Sequence, residues 1–185
     1  MDKKLAIVIG HNAAAQGAVR RIDGISEFAW NGALADLIEE VGGDRVRIFR
    51  REKARSYSAE IDAVYAAVDQ WGADASIELH FNSAASPLAT GTKTLSSGSA
   101  GSRALALACH VGMIHALGLR DRGVEVRGRA DRGGRSLFAG RAPAVLIEPY
   151  FGSNDGDAVT ADQCRNALAV ALWAAFEEWA QEVAA

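Results

Sequence analysis

The sequence has few of the features that mark disulfide-rich, membrane-spanning or exported proteins. It contains two cysteines in 185 residues, Cys109 and Cys164, which lie far apart and outside any CxxC or Cys/His cluster. We therefore expect two reduced thiols buried on helices, and neither a disulfide framework nor a cysteine-based metal site. No apolar run approaches the roughly 18 residues that a transmembrane helix requires, so a membrane is not an expected partner.

The N-terminal segment lacks the parts of a secretion signal. Its apolar stretch, residues 5–9, is too short for the hydrophobic region of a signal peptide, and no small-residue cleavage site follows it. We interpret this stretch as a first strand. The sequence therefore predicts a protein that is synthesised in the cytoplasm without a signal peptide.

Charge of one sign is not in excess. The formal net charge of -3 gives no electrostatic basis for binding nucleic acid, so nucleic acid is not an expected partner. Apolar residues make up 49% and charged residues 23%, as in ordinary globular proteins. The length suits one compact domain, residues 1–185, without repeats or linkers, and we expect a monomer.

Apolar strand patterns and amphipathic helix patterns alternate along the chain. This alternation predicts an α/β fold, with a mostly parallel open sheet and helices on both of its faces. A helix is expected to open at residues 24–27, with Ser26 or Asp23 as its N-cap, and to stop at Gly42-Gly43. The predicted strands are residues 4–10, 45–49, 74–83, 91–97, 124–126 and 144–151, and the later predicted helices are residues 56–71, 102–117 and 157–183.

The predicted strand at residues 74–83 carries a histidine near its end. Its apolar residues have one parity and its polar residues have the other, among them Glu78, His80 and Asn82. A loop rich in breaker residues, Ser-Ala-Ala-Ser-Pro, follows Asn82. His80 is therefore expected at the C-terminal edge of the sheet, where open α/β sheets bind their ligands.

Three further polar residues are candidates because of where they lie. His11 follows the first apolar strand, and Glu27 lies at the start of the first helix. Glu148 lies in the apolar strand 144–151, where an unpaired buried carboxylate would cost several kcal/mol, and Pro149 indicates that the strand ends there. Each residue alone has an ordinary structural explanation, but a shared edge of the sheet would bring all of them together.

The combined set has the composition of a catalytic zinc site. Two neutral imidazoles and a carboxylate bind the ion and leave a fourth position for water, and a second glutamate can accept the proton of that water. His11, Glu27, His80 and Glu148 supply these groups. The basic stretch at residues 120–135 is open to two interpretations: a solvated loop, or a rim that faces the carboxylates of a substrate.

Five segments of the chain follow one another in a recognisable order: Ile7-Val8-Ile9-Gly10-His11, Glu27-x-x-x-Asn31, and residues 76–83, 118–124 and 143–154. In this order and rough spacing the chain resembles the zinc-dependent N-acetylmuramoyl-L-alanine amidases of the amidase-3 type over nearly its whole length. The resemblance implies hydrolysis of the amide between the lactyl group of N-acetylmuramic acid and the L-alanine of the stem peptide, with peptidoglycan or a muropeptide as the substrate. It also implies that His11, Glu27 and His80 bind Zn²⁺ and that Glu148 is the catalytic carboxylate.

Four other residues are expected to bind substrate or to support the site. Glu78 shares a strand face with His80, so it could orient His80 or a neighbouring cation, and a glutamate is unusual at this position in the family. Asn82 and Asn154 are expected to hold substrate or loops. Arg122, as part of the basic stretch, is expected to receive carboxylates of the stem peptide.

Other functions remain open on the sequence alone. A zinc carboxypeptidase-like or other small-amide hydrolase would use the same metal chemistry, and an inactive wall-binding module would keep only the fold. A lysin of the phage endolysin type and an enzyme that acts on recycled wall fragments both fit the amidase hypothesis. Catalysis by a serine nucleophile is not supported, because the sequence has no GxSxG motif.

Overall fold

Strands and helices alternate along the chain, as the pattern predicts, in the computed structural model, which describes residues 2–183. The strands of this range are β1 (Leu5–Asn12), β2 (Val46–Arg51), β3 (Ala75–Leu79), β4 (Thr92–Ser96), β5 (Asp121–Val126) and β6 (Ala144–Glu148). The helices are α1 (Glu27–Gly42), α2 (Tyr57–Trp71), α3 (Ala100–Leu117), α4 (Gly134–Leu137), α5 (Asp155–Gln163) and α6 (Arg165–Glu182).

The strands form one mostly parallel sheet in the order β2-β1-β3-β6-β4-β5. Strands β1, β3 and β6 run parallel to one another, so their C-terminal ends meet at the same edge. Strand β4 is antiparallel to β6 and pairs Lys93 with Glu148, which brings the start of β4 to that edge. The predicted fold class is confirmed. The polar residues at the C-terminal ends of β1, β3 and β6 lie together at this edge of the sheet.

Helices cover both faces of the sheet. Ile7 and Ile9 of β1 pack into a core with α1, α3 and α6, whereas Ala6 and Val8 pack against α2 on the other face. All four side chains are fully buried, which explains why β1 is a continuous apolar run and not an alternating one. Burial of each large aliphatic side chain contributes about 1.5–3 kcal/mol to folding.

Capping residues set the helix boundaries next to the site. Ser26 is the N-cap of α1, since its hydroxyl accepts a hydrogen bond from the backbone N–H of Ala29 at 3.2 Å. Of the two candidate caps, Ser26 is therefore the one used, and Glu27 becomes the first residue of the helix. Ser56 caps α2 in the same way, and Gly72 ends it with a φ of 76°.

The structure differs from the predicted elements in several places. The strands predicted for residues 74–83 and 144–151 end at Leu79 and Glu148, and the short helix α4 was not predicted. The helix predicted for residues 157–183 consists of α5 and α6, which are separated at Cys164, where the backbone leaves helical geometry (ψ 10°). Both pieces have helical composition, so the pattern did not reveal the break. Helix α3 begins at Ala100, two residues early, because Ser99 caps it. Cys109 is a buried helical thiol as expected, whereas Cys164 is only half-buried at the junction.

Within the range that the structure describes, no helix is both long enough and apolar enough to cross a bilayer.

Candidate metal and catalytic site

Three residues that are distant in sequence meet at the C-terminal edge of the sheet. His11 lies at the end of β1, Glu27 begins α1 and His80 directly follows β3. One ring nitrogen from each histidine and one carboxylate oxygen all lie within 4.8 Å of one another. Glu27 Oε1 is 2.7 Å from His80 Nδ1, and Glu27 Oε2 is 3.2 Å from His11 Nε2. The structure thus brings together the three residues expected to bind a metal.

A local irregularity in β1 aims the side chain of His11. The pairing of β1 with β2 is regular up to Ile9 and resumes at Asn12 with a shifted register. Between these residues His11 adopts a φ of 67°, in the left-handed region that non-glycine residues seldom occupy. The Asn12 side chain holds the loop that follows, since its Oδ1 accepts hydrogen bonds from the N–H groups of Ala14 and Ala15 at 2.9 Å.

Two glycines leave the space that the metal-ligand candidates occupy. A Cβ on Gly10 would lie 2.4 Å from His80 Nε2, and a Cβ on Gly17 would lie 2.5 Å from His11 Cδ2 and 2.7 Å from Glu27 Oε2. Contacts that short do not occur between non-bonded heavy atoms. The backbone at both glycines therefore approaches the cluster as closely as it does only because no side chain is present there.

The electrostatics of the cluster favour a bound cation. Burial alone would raise the pKa of Glu27, but hydrogen bonds from His11 and His80 hold it well below its usual range. Burial alone would lower the pKa of His80, but its hydrogen bonds with Glu27 and Glu78 raise it to about 9. The metal-free chain thus holds a positive charge beside Glu27, where a divalent ion would replace it, and the donor set fits Zn²⁺.

Glu148 lies in the same cleft but outside this cluster. It is the last residue of β6, and its Oε2 accepts a hydrogen bond from Asn82 Nδ2 at 2.6 Å. Burial raises the pKa of Glu148 above its ordinary value, against the opposing charges of His80 and Lys93. The cleft has a volume of about 390 Å³. A buried carboxyl group with a raised pKa in such a cleft is a candidate for proton transfer.

Glu78 is fully buried beneath His80. Its Oε1 is 2.8 Å from His80 Nε2, on the side of the ring away from Glu27. Its Oε2 accepts a hydrogen bond from the Tyr65 hydroxyl at 2.9 Å, and the guanidinium of Arg51 forms an ion pair with the carboxylate. Glu78 therefore contacts both the histidine and a neighbouring cation.

The remaining residues assigned to substrate lie in different places. Asn82 lines the cleft. Asn154 caps α5, since its side chain accepts a hydrogen bond from the backbone N–H of Asp157 at 3.0 Å, and it does not line the cleft. Arg122 also lies outside the lining, with its guanidinium 5.0 Å from the centre of the Phe151 ring.

Cationic side chains that the sequence did not single out line the cleft instead. Lys93 reaches it from β4, and Arg127 and Arg132 reach it from the segment between β5 and α4. Both arginines belong to the basic stretch that the sequence marked, but that stretch has no periodic pattern that separates its inward-facing members. Lys93 could not be found from the sequence because its pairing with Glu148 depends on strand order.

Comparisons with known proteins agree with this geometry. The Amidase_3 family model, described as N-acetylmuramoyl-L-alanine amidase, matches residues 5–177. Among solved structures, the catalytic domain of the amidase CwlV from Bacillus (Paenibacillus) polymyxa var. colistinus superposes with a TM-score of 0.80 at 24% identity, covering 95% of this chain and 97% of that chain. An N-acetylmuramoyl-L-alanine amidase from Clostridium difficile 630 gives a TM-score of 0.80 at 17% identity, with 97% of each chain covered.

An endolysin catalytic domain has the same fold. The domain of CD27L, an endolysin that targets Clostridia difficile, gives a TM-score of 0.78 at 21% identity and covers 94% of this chain and 96% of that chain. No curated protein matches the sequence significantly. The structural likenesses establish the fold, and the family match extends over both histidines and both glutamates of the site. The chain therefore belongs to the N-acetylmuramoyl-L-alanine amidase family.

Proposed function

We propose that the protein is a zinc-dependent N-acetylmuramoyl-L-alanine amidase that hydrolyses the bond between N-acetylmuramic acid and L-alanine in peptidoglycan or in muropeptides. The observation that carries this proposal is the convergence of His11, Glu27 and His80 within 4.8 Å, in the cleft that also contains Glu148. Membership of the amidase family supports cleavage of this bond, and the groups in the cleft are of the kinds that the reaction would use.

The three clustered residues would hold the ion. Imidazole nitrogen and carboxylate oxygen are ligands that Zn²⁺ prefers, and three protein ligands are typical of catalytic rather than structural zinc. The space left by Gly10 and Gly17 around these side chains supports this assignment. When bound, zinc would supply a Lewis acid that polarises the scissile carbonyl and lowers the pKa of a water molecule.

Glu148 would carry the proton. Burial raises the pKa of Glu148 and so makes its ionised carboxylate a stronger base, which would accept a proton from the attacking water and return it to the amine of L-alanine. Asn82 binds Oε2, so Oε1 is the oxygen that takes the proton. Asn82 also limits rotation of the carboxylate and keeps it directed at the cleft.

The cationic side of the cleft would bind the stem peptide, which carries carboxylates on the amine side of the scissile bond. Lys93 and Arg127 both pair with Glu125 at 2.9 Å, which fixes their positions. Arg132 lines the cleft beside Gly133. The role expected for the basic segment 120–135 therefore falls to Arg127 and Arg132, whereas Arg122 packs over Phe151 outside the lining.

A digestion experiment tests the reaction. The zinc-loaded protein is incubated with purified sacculi in one arm and with isolated muropeptides in the other, and the products are analysed by mass spectrometry and amino-terminal labelling. We expect new L-alanine amino termini and intact lactyl groups, and the two arms report whether the intact wall or its fragments are preferred. Release of a terminal amino acid would instead identify a carboxypeptidase. Zinc binding without any cleavage would identify a wall-binding module.

The variant Glu148→Gln tests the proton carrier. It keeps the shape and the contact with Asn82 but removes the basic oxygen, so we expect turnover to fall by roughly 10²–10⁴-fold while bound zinc stays near one per chain. Glu52→Gln, at an exposed glutamate outside the cleft, is the matched control and should keep wild-type turnover. Near-normal turnover in a zinc-loaded Glu148→Gln protein would remove Glu148 from the mechanism.

A further inference from the structure

A buried group of polar side chains lies directly beneath the candidate metal site. Glu78 has no exposed surface, and Arg51, Tyr65 and Ser136 are at most 2% exposed. Charged residues are seldom buried so completely, because removal from water costs several kcal/mol per ion unless partners compensate for it. The proposed hydrolytic mechanism uses none of these four residues, so the group requires its own explanation.

The contacts of Glu78 are divided between its two oxygens. Oε1 faces His80 Nε2 at 2.8 Å, and Oε2 accepts the hydrogen bond of Tyr65 at 2.9 Å. Arg51 pairs with Oε1 through its Nη2 atom, which also donates to Ser136 Oγ at 3.3 Å. The guanidinium lies 5.3 Å from the centre of the Tyr57 ring. Glu78 is thus held on every side and has little freedom to rotate.

This arrangement determines which nitrogen of His80 is available to a metal. Glu27 contacts Nδ1, so Nδ1 is the nitrogen that faces the cluster. An ionised carboxylate can only accept hydrogen bonds, so the contact of Nε2 with Glu78 requires hydrogen on Nε2. Glu78 itself is no fourth ligand in this geometry, because the imidazole ring lies between it and Glu27.

We propose that Glu78 is a positioning residue that fixes His80 with its Nδ1 lone pair toward the metal and its Nε2–H toward the sheet interior, and that Arg51 and Tyr65 hold Glu78 in place. The inference rests on the proposed zinc site and concerns how that site is held. Carboxylates that bond the second nitrogen of a metal-binding histidine fix its tautomer and raise its basicity. Here the carboxylate belongs to β3, two residues before the histidine that follows the strand. Arg51 is the last residue of β2.

Zinc affinity and histidine spectroscopy together test this inference. The full chain is stripped of metal, zinc affinity is measured by competition with a chromophoric chelator, and long-range ¹H–¹⁵N spectra of the zinc-loaded protein identify the protonated nitrogen of His80. We expect Nε2 to be protonated in the wild type. The variant Glu78→Gln should weaken zinc binding by roughly 10–100-fold and change the ¹⁵N shifts of His80. A merely structural role would lower thermal stability and leave both readouts unchanged.

The chain offers a matched control at a second carboxylate–histidine contact. Asp121 Oδ1 lies 2.8 Å from Nε2 of His110, away from the cleft. Asp121→Asn should shift the resonances of His110 and leave zinc affinity unaltered. Glu78→Asp covers the case in which Glu78→Gln does not fold, because it keeps a charge for Arg51 but withdraws the carboxylate from His80. The Glu78→Asp variant should fold, and its affinity for zinc should be lower than that of the wild type.

The outcomes separate this inference from the proposed function. If the wild type binds zinc and cleaves muropeptides, but Glu78→Asp and Glu78→Gln keep its affinity within twofold and its His80 spectrum, the positioning role is wrong. Metal coordination by Nε2 of His80 in the wild type would also overturn it. If the wild type binds no zinc, the proposed metal site is wrong and the positioning role is overturned with it, so the zinc affinity of the wild type is measured first.

Discussion

His11 is the one non-glycine residue within residues 2–183 that has a positive φ. A non-glycine residue in this backbone conformation costs about 1–3 kcal/mol of folding free energy, and the conformation persists only where the surrounding structure stabilises it. The irregular register of β1 and the hydrogen bonds of Asn12 supply that support. The site therefore depends on backbone geometry as much as on the identity of its ligands, and glycines next to the ligands should be as sensitive to substitution as the ligands themselves.

Gly17→Ala tests this dependence. The new Cβ would lie within 2.7 Å of both His11 and Glu27, and the φ of 80° adds backbone strain. We expect a loss of about 1–3 kcal/mol in the free energy of unfolding, measured with urea, and a fall in zinc affinity of at least about tenfold. The two effects have different causes, and a second glycine separates them.

Gly24→Ala is the control for backbone strain alone. Gly24 has nearly the same φ, 76°, but an added Cβ would meet nothing within 4 Å. It should cost a similar free energy of unfolding and leave zinc binding unchanged. If both variants bind zinc as the wild type does, close approach at Gly17 has no role in the site.

The candidate residues of the site were recognisable from the sequence because position and residue type agreed. His11, His80 and Glu148 lie at the C-terminal ends of apolar strands, and parallel strands end at one edge, so their proximity followed from the fold class. Gly17 was not recognisable, since its importance depends on which side chains approach it. Lys93 was not recognisable either, because its position beside Glu148 depends on the antiparallel pairing of two strands that are distant in sequence.

At the scale of elements, Asp162 of α5 connects three parts of the chain. Its carboxylate accepts hydrogen bonds from Arg20 at 2.7 and 2.8 Å and from the Trp30 indole at 2.8 Å. Arg20 belongs to the loop that carries Gly17, and Trp30 belongs to the helix that begins with Glu27. Asp162 thus holds the loop and the start of α1 in the positions that the site requires.

Asp162→Asn should lower stability in a way that depends on pH. Hydrogen bonds from Arg20 hold the pKa of Asp162 below its ordinary value of 3.8. Because the pKa is lower in the folded state, the stabilisation is fully present above that value and is lost as the pH falls through the folded-state pKa. We expect the variant to lose about 1–2 kcal/mol at neutral pH, a modest figure because the group is partly exposed, and the difference from wild type to shrink in acid.

Urea unfolding of both proteins between about pH 7 and pH 2 measures this difference. Asp36→Asn is the control, since Asp36 pairs with Arg50 at 3.3 Å on the exposed surface. It should cost less than about 0.5 kcal/mol at every pH. If the difference in free energy of unfolding between wild type and Asp162→Asn stays constant down to the lowest pH, the ionised carboxylate is not the stabilising species.

The elements themselves were largely predictable, whereas their arrangement was not. The ends of helix α1 were predicted from Ser26 or Asp23 at its start and Gly42-Gly43 at its end, because caps and glycines act locally. The strand at β4 was recognised, but its place between β6 and β5 was not, because strand order depends on contacts far apart in the chain. The break at Cys164 between α5 and α6 was missed, since helical composition continues across it.

At the scale of the molecule, the site lies at one edge of a sheet whose core does not include it. Fully buried apolar residues on both faces of β1 and on one face of β3 pack against helices without contribution from the cluster. Small zinc domains unfold without their metal because they lack such a core, but a chain of 185 residues buries enough apolar surface to fold alone. We therefore expect zinc to raise the stability of the folded chain without being required for folding.

Removal of zinc should lower the melting temperature and leave the fold intact at 25 °C. An ion that binds only the folded chain stabilises it by about 2.7 kcal/mol at a free concentration 100 times its Kd, which corresponds to roughly 5–10 °C in a protein of this size. Circular dichroism of the chelated protein should retain the native helical signal, and zinc should restore the higher Tm.

Two histidine variants show whether this stabilisation comes from the proposed site. His80→Ala should abolish the zinc-dependent shift in Tm, whereas His115→Ala, at an exposed histidine of α3, should retain it. If chelation unfolds the chain at 25 °C, the core is not self-sufficient. If His80→Ala keeps the full shift, zinc binds elsewhere, and the stabilisation has nothing to do with the ligands that β1, α1 and β3 bring to the edge of the sheet.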